Sequence, residues 1–343
     1  MREDFVSSLV CCDDRGELSL DLLAEHRHDE ILSGALVCHT CRRRYKIEHG
    51  VPIVMNSPPA DDAPVHFGEQ WTWFLEGKFE DPTKSSLGES REFIVADFFD
   101  LTGLTPETLR GKRILDAGSG ASKIAYHLTQ SFPDTPFEIV SLELTHAIYA
   151  AFKLRNEPRT RFVRASVFEP PFRRESFDVV YSAGVLHHTP DPRRAFNALV
   201  SLVKPGGTMS TWMYSKKFNP FLDVTGLLWP ITRHLPPRLT LIIAHVLSLP
   251  FWVLFRLASA YKALFRPSSW RWKWVMPLSL SAIRLHLFDY MHTYYRFRYW
   301  PEEIVSWYEE NGLQDIIVLR PGSTAIHGRA PSRECSEAVL RPA

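Results

Sequence analysis

The apolar run RILDAGSG ends in an aspartate and two glycines, Asp116, Gly118 and Gly120, placed where a strand would turn into a helix. Glycines at such a turn let the backbone approach a ligand closely and tolerate dihedrals that other residues avoid. Tight turns without a ligand use glycine too, so the triplet alone is a weak signal. Glu143 closes the next apolar run, FEIVSLEL, where one carboxylate can accept both hydroxyls of a ribose. A third run, FDVVYSAG, ends in Ala183 and Gly184 and leads into His187 and His188. An imidazole titrates near neutrality and could take a proton from a hydroxyl or a phenol. Equally, one of the two histidines could cap the turn TPDP while the other packs, with Asp191 capping the helix that begins at Pro192.

These residues need elements to hold them. From 112 to 213 short apolar runs alternate with helical stretches: RILDAGSG, a helix near 121–131, FEIVSLEL, a helix near 145–155, RFVRASV, FDVVYSAG, a helix near 192–203, and TMSTWMY after the turn VKPGG. Strands alternating with helices of this length imply a parallel, doubly wound sheet with crossover helices. The segments HFGEQWTWF and ESREFIVADFFDLTG within 56–110 read as a linker followed by entry helices. Residues 216–299 interrupt the rhythm as an apolar, basic helical insertion. The helix PEEIVSWYEENG and the strand DIIVL within 300–330 return to the sheet, and 331–343 form a polar tail.

The ordered set DAGSG, Glu143, FDVVYSAGVLHHTPD and VKPGGTM resembles the class I methyltransferases that use S-adenosylmethionine (SAM), from about 112 to 213 with a continuation over 300–328. The resemblance implies a seven-stranded Rossmann-like sheet with SAM across the carboxyl ends of its strands. Asp116, Gly118 and Gly120 would then lie near the methionine portion, Glu143 on the ribose, and Ala183 and Gly184 beside the crevice. Where that family often places an acidic residue toward the adenine amine, this chain reads Ala165-Ser166-Val167-Phe168, so Ser166 offers a neutral hydrogen bond instead. Methyl transfer is an in-line displacement, so the protein must chiefly align the acceptor and, where needed, remove its proton. His187 and His188 are the candidate bases. The segment FDYMHTYYRFRYW resembles the part of small-molecule methyltransferases that returns to the sheet. There Asp289, Tyr290, His292 and Tyr295 could reach the acceptor or satisfy one another in a packed interface. Gln70 and Trp71 could fold over the cofactor.

Four of the five cysteines, Cys11, Cys12, Cys38 and Cys41, lie within 1–55, and an odd total fits metal binding or free thiols better than a disulfide framework. The segments LVCCDDRGEL and LVCHTCRRRYKIEHGVPIV resemble the small zinc ribbon of the Trm112-like type, with Asp14 where a cysteine would stand. The resemblance implies a β-rich module whose zinc ligands are Cys11, Asp14, Cys38 and Cys41, with Cys12 as a substitute; the other reading is a ribbon held by its own core without metal.

Apolar residues make up 45% and charged residues 23% of the 343, an ordinary globular composition that argues against extended disorder. The net charge of +1 hides an asymmetry: between Lys216 and Arg298 stand 12 Lys or Arg against Asp223 and Asp289. Residues 239–255 in that stretch are shorter and more interrupted than a membrane-spanning helix requires. Helices covering the SAM crevice and lining an apolar acceptor pocket, with Trp252, Phe255 and Trp274 as core or pocket wall, are the leading reading. A peripheral helix on anionic lipid, using Arg256, Lys262, Arg266, Arg271 and Lys273, is compatible with it. The charged N-terminus MREDFVSSLV does not read as a secretory signal, which places the expected protein in the cytoplasm.

The expected activity is methylation of an apolar or aromatic small molecule or a lipid-like acceptor, on oxygen. A tRNA or rRNA methyltransferase is the alternative that the ribbon and basic stretch allow, and it would bind its acceptor with a steep salt dependence. A non-catalytic SAM-binding scaffold is the second alternative.

Overall fold

The computed structural model describes every residue except 22–24, 28, 58–62, 80, 84, 87–88, 266–278, 320–323 and 333–343. The tail beyond Ser332 and the expected contributions of Trp274, Arg266, Arg271 and Lys273 therefore lie outside the described residues. In chain order the elements begin with a β-rich module: β1 (Leu18–Leu20), β2 (Glu25–Arg27), β3 (Glu30–Cys38), β4 (Arg44–Glu48) and β5 (Val51–Pro52). Then follow α1 (Ala63–Leu75), the small hairpin β6 (Ser85–Ser86) and β7 (Glu89–Ser90), and α2 (Arg91–Thr102). The alternating part comprises β8 (Arg113–Ala117), α3 (Lys123–Ser131), β9 (Glu138–Glu143), α4 (Ala147–Arg155), β10 (Thr160–Arg164), β11 (Phe177–Ala183), α5 (Pro192–Val200) and β12 (Val203–Trp212). After it come α6 (Pro220–Thr232), α7 (Pro237–Phe265), α8 (Leu280–His292), α9 (Pro301–Glu310), β13 (Gln314–Val318) and β14 (Ala325–Arg329).

β8, β9 and β11 are nearly all buried because helices cover both faces, which is why their sequences read as apolar runs rather than alternating ones. The seven-stranded sheet runs β10-β9-β8-β11-β12-β14-β13, parallel through β12 and antiparallel at β14 and β13. Chain direction along the sheet reverses between β8 and β11. In such a fold ligands bind in the crevice at the carboxyl ends of the strands flanking that reversal, and the two ends there are Asp116-Ala117 and Ala183. The expected Rossmann-like α/β class is the fold observed.

Local chemistry sets the helix ends. Asp191 caps α5, its carboxylate accepting from the Arg194 N–H at 3.0 Å with Pro192 at the first position. Ser90 caps α2, and Gly103, in the left-handed region, ends it. At the other end of the sheet the Asp178 carboxylate accepts from the Arg113 N–H and the Lys204 ammonium, both at 2.9 Å, fixing β8, β11 and β12 together.

The N-terminal module is welded to this sheet. Ile53 forms a parallel bridge with Arg164 at the free edge of β10, and the Val54 N–H donates to the Arg164 carbonyl at 2.9 Å. Phe5, Leu9, Tyr45 and Ile47 pack in the same buried cluster as Leu115, Val140, Phe172 and Phe177. Burying each such side chain contributes about 1.5–3 kcal/mol, so the join is hydrophobic rather than electrostatic.

In the insertion α8 is the inner helix. Ile283, Leu285, Leu287, Phe288 and Met291 are buried beside Phe74, Ile148 and Phe162, and α6 and α7 pack outside it. Trp252 and Phe255 pack, partly buried, against this cluster. The sequence argument for a short, interrupted apolar stretch is corrected: α7 continues through Pro250 for 29 residues, and its first 21, Pro237–Leu257, are long and apolar enough to cross a bilayer. Proline near the middle of a helix costs one hydrogen bond but need not end it where neighbouring packing holds both halves.

Candidate active site

β8 delivers Asp116 to the crevice with 4% of its surface exposed. Burial pushes its carboxyl up to about 7, opposed by Lys123 and reinforced by Glu143. After it the backbone turns with Gly118 at φ +81° and Gly120 at φ +52°, both left-handed. A Cβ on Gly118 would overlap Val185, and one on Gly120 would stand 2.9 Å from the Trp71 ring, so here backbone conformation and close approach both require glycine. Trp71, on α1, thus lies directly over the turn.

β9 ends in Glu143, 6% exposed, whose carboxylate accepts from the N–H groups of Gly120 and Thr145, each at 2.8 Å. Those two bonds hold it facing the turn and leave further lone pairs on both oxygens. Beside it the Thr145 hydroxyl is buried without a partner. Ser166 stands after β10, next to the strand that ends in Glu143, but its hydroxyl accepts from the Phe168 N–H at 3.2 Å, engaged in its own loop. Ala183 and Gly184 end β11, and the Gly184 N–H donates to the Trp212 carbonyl at 2.9 Å.

Beyond β11 the chain makes one turn of 3-10 helix that brings His187 and His188 into a buried aromatic group. The two imidazole centroids lie 4.0 Å apart with their planes tilted by 49°, and Tyr214, just past β12, lies 4.0 Å from the His187 ring and 5.1 Å from that of His188. Tyr290 of α8 meets Tyr214 edge-on at 5.5 Å. The Tyr214 hydroxyl donates to one oxygen of Asp289 at 3.0 Å, and the Gln70 amide of α1 donates to the other at 2.7 Å. Burial pushes the phenols of Tyr214 and Tyr290 up and both imidazoles down, so the histidines are neutral at pH 7.

The two histidines differ in how they are held. His188 Nδ1 lies 2.8 Å from the Tyr295 carbonyl, which can only accept, so the ring carries its hydrogen on Nδ1 and leaves Nε2 with a lone pair. The nearby Asp289 carboxylate favours its protonated form, against the larger effect of burial. His187 is fully buried, and neither ring nitrogen has a partner.

The four acceptor-side candidates do not gather in one place. Asp289 and Tyr290 face the histidine pair. His292 instead stacks on His66 at 4.0 Å and on Phe288 at 4.8 Å, because it falls on the face of α8 that packs against α1. Tyr295 contributes its carbonyl, while its ring stacks on Phe297. Tyr214 was not singled out in the sequence; its signal was an aromatic hydroxyl closing the strand next to FDVVYSAG. Gln70 was noted, but its bond to Asp289 spans two helices distant in sequence.

In the N-terminal module Cys11, Asp14, Cys38 and Cys41 place their ligand atoms within 4.8 Å of one another. The Cys11 and Cys41 sulfurs are 3.6 Å apart, and Cys38 Sγ is 3.4 Å from an Asp14 oxygen. Tetrahedral zinc with bonds near 2.3 Å to sulfur separates its ligands by about 3.5–3.8 Å, so three thiolates and a carboxylate fit that ion. Gly16 leaves the space: a Cβ there would fall 2.9 Å from Cys38 Sγ and from Asp14 Oδ1. Cys12 is not a substitute ligand. Its sulfur turns the other way, toward the carbonyls of Val54 and Glu169, and its thiol is pushed up to about 12 chiefly by burial.

Two stretches of the chain match known domain families. Residues 115–211 match the methyltransferase domain family, and residues 4–50 match the Trm112p-like proteins. Residues 115–211 are thus a methyltransferase domain, and residues 4–50 a Trm112-like module. An uncharacterized methyltransferase of Mycobacterium sp. (strain JLS) is 32% identical over 154 residues, which cover 43% of this chain and 56% of that protein. The ubiquinone/menaquinone biosynthesis C-methyltransferase of Bartonella bacilliformis is 27% identical over 149 residues, covering 42% and 56%. The matched part is thus little more than half the length of each relative. The structure of human N-acetylserotonin methyltransferase with SAM aligns at 17% identity and a TM-score of 0.43 over 80% of this chain and 60% of that one, a likeness too low to bear on function.

The class I methyltransferase crevice fits its cofactor. A buried carboxylate to which no hydrogen bond contributes, Asp116, suits a ligand that carries positive charge, and Glu143 suits a diol. Gly118 and Gly120 supply the cradle between them. SAM, when bound there, supplies an electrophilic methyl group on a sulfonium.

Proposed function

We propose that this protein is a SAM-dependent methyltransferase whose acceptor is an apolar or aromatic small molecule, or a lipid-like one, carrying a hydroxyl. One observation carries the reading: a neutral His188 whose tautomer is fixed by the Tyr295 carbonyl, set among aromatic rings where β11 and β12 end at the crevice. Asp116, Gly118 and Gly120 would hold the methionine portion, Glu143 the ribose, and Ser166 the adenine edge.

His188 acts as the base. Its Nε2 takes the acceptor hydroxyl proton, leaving an oxygen lone pair to attack along the line of the leaving sulfur. The resulting imidazolium keeps its Nδ1–H bond to the carbonyl and is stabilised by Asp289, which Gln70 and Tyr214 hold in place. His187 forms the floor under the base. Phe67, Tyr214 and Tyr290 give the acceptor an apolar, largely dry surround, which strengthens each of these interactions.

A phenolate can also be methylated at a ring carbon. The Bartonella relative is named a C-methyltransferase, which makes carbon the second reading for the acceptor atom.

The test is incubation of the protein with methyl-labelled SAM and a cell extract, followed by counting the organic, small aqueous, RNA and protein fractions. Label in the organic fraction, lost in Asp116→Ala, supports the proposal, and NMR of the product assigns oxygen or carbon. Label in RNA that falls steeply with salt would overturn it in favour of a nucleic-acid acceptor. SAM binding with no label in any fraction would favour a scaffold.

A further inference from the structure

The outer side of the insertion is an apolar strip that none of the described residues covers. On α7 Leu239, Ile242, Val246, Leu249, Val253 and Leu257 recur at steps of three or four, the spacing of one helix face, and all six are exposed. Leu227, at 80% exposure, and Ile231 continue the strip on α6. The residues between them point inward: Ala244 is buried, and Leu241, Leu247, Phe251 and Phe255 pack toward α8. A contiguous apolar patch of this extent on a chain with ordinary composition marks a binding surface.

We propose that the strip of α6 and α7 docks flat on the surface of an anionic lipid bilayer. Charge selects this occupant. Arg238 and Arg256, both exposed, stand at the two ends of the α7 strip, roughly 27 Å apart at the rise of an α-helix. The surrounding segment from Lys216 to Arg298 carries 12 basic residues against two aspartates. A helix with an apolar face bounded by arginines is the pattern that lies in the headgroup region of anionic membranes. A second copy of the chain would bring two such basic segments together, and a nucleic acid could not cover an apolar strip.

Packing decides between lying on the bilayer and crossing it. Few of the first 21 residues of α7 are buried, yet Ala244 belongs to the core that holds α8 and Leu241, Leu247, Phe251 and Phe255 pack against it, so crossing would tear the helix from that core. α8 has the strip's helices on one side and presents Asp289 and Tyr290 to the histidine pair on the other. A lipid-like acceptor leaving the bilayer would therefore meet the crevice one helix away. This last step rests on the proposed methyl transfer; the docking itself does not.

The experiment is flotation of the full chain with vesicles of phosphatidylcholine alone and of phosphatidylcholine with phosphatidylserine, with SAM binding and melting temperature measured in parallel. Recovery with the anionic vesicles should exceed that with neutral ones by roughly tenfold and fall as salt is raised. Ile242→Glu with Val246→Glu should abolish it, and Arg238→Glu with Arg256→Glu should remove the preference for anionic lipid, both with SAM binding retained. No flotation of the native protein, or flotation that neither pair of substitutions alters, overturns the proposal. So does a dimer in sedimentation that the Ile242→Glu, Val246→Glu pair dissolves without any flotation. Flotation without SAM binding would sink the methyltransferase reading and leave the docking standing.

Discussion

Asp116 and His188 are each held in the less hydrated of their two protonation states, and each yields a prediction. Because burial raises the Asp116 pKa to about 7 from an ordinary 3.8, the folded protein without ligand keeps a proton that the unfolded chain has lost. Its contribution to stability is therefore full below 3.8 and is lost as pH rises toward 7. A cationic ligand needs the ionised form, so SAM affinity measured by calorimetry should rise between about pH 6 and pH 8, and Asp116→Asn should flatten that rise. For the base, His188→Gln should lower kcat by about 10²–10⁴ while leaving the SAM dissociation constant nearly unchanged, since a general base contributes on that scale. An equal loss of SAM binding would assign His188 to the cofactor site instead. The lowered imidazole pKa means that, with SAM saturating, kcat should fall only on the acid side of its ordinary value.

Turns and strand ends carry the next set of constraints. Gly118→Ala must adopt φ +81° and displace Val185, so a stability loss of about 1–3 kcal/mol is expected together with weaker SAM binding, read by thermal melting with and without SAM. Gly111, also at positive φ but with open space around it, is the control: alanine there should cost about 1 kcal/mol from the backbone alone and leave SAM binding intact. In the module, the ligand set Cys11, Asp14, Cys38 and Cys41 predicts one zinc per chain by metal analysis. A strong chelator should lower the melting temperature of the native protein, and Cys38→Ser should reproduce that loss whereas Cys12→Ser should not abolish zinc.

Taken whole, the molecule has one continuous core beneath the Trm112-like module and the sheet. Phe172 and Phe177, fully buried, are in the same cluster as Phe5, Leu9 and Tyr45, and an isolated parallel bridge joins Ile53 to Arg164 at the edge of β10. Deletion of residues 1–55 should therefore expose that apolar surface and the β10 edge, giving aggregated protein rather than an active smaller enzyme. Soluble, SAM-binding protein after that deletion, by light scattering and calorimetry, would show the module to be an independent appendage. α1 joins the same economy from the other side, since Trp71 covers the glycine turn and Gln70 reaches Asp289.

The sequence by itself determined the elements whose periods are local and strong. The apolar runs of β8, β9 and β11, the turn at Gly118 and Gly120, Glu143 at its strand end, and Asp191 as a cap were all legible because each depends on neighbours within a turn or a strand. Cys38 and Cys41 were legible for the same reason, as one C-x-x-C knuckle, whereas Cys11 and Asp14 as its partners came from the resemblance to the Trm112-like ribbon. Tertiary structure alone decided the rest. Whether Cys12 or Asp14 completes the site depends on which way a side chain turns, and His188 is distinguished from His187 by a carbonyl 107 residues away. Tyr214, Gln70 and Asp289 meet only because β12, α1 and α8 converge at the crevice. Residues 239–255 looked too short and interrupted to span a membrane, because the packing of α7 on α8 that carries the helix through Pro250 is written in residues far from the proline. Side chains that share a site but not a stretch of chain leave no local period, and only their packing brings them together.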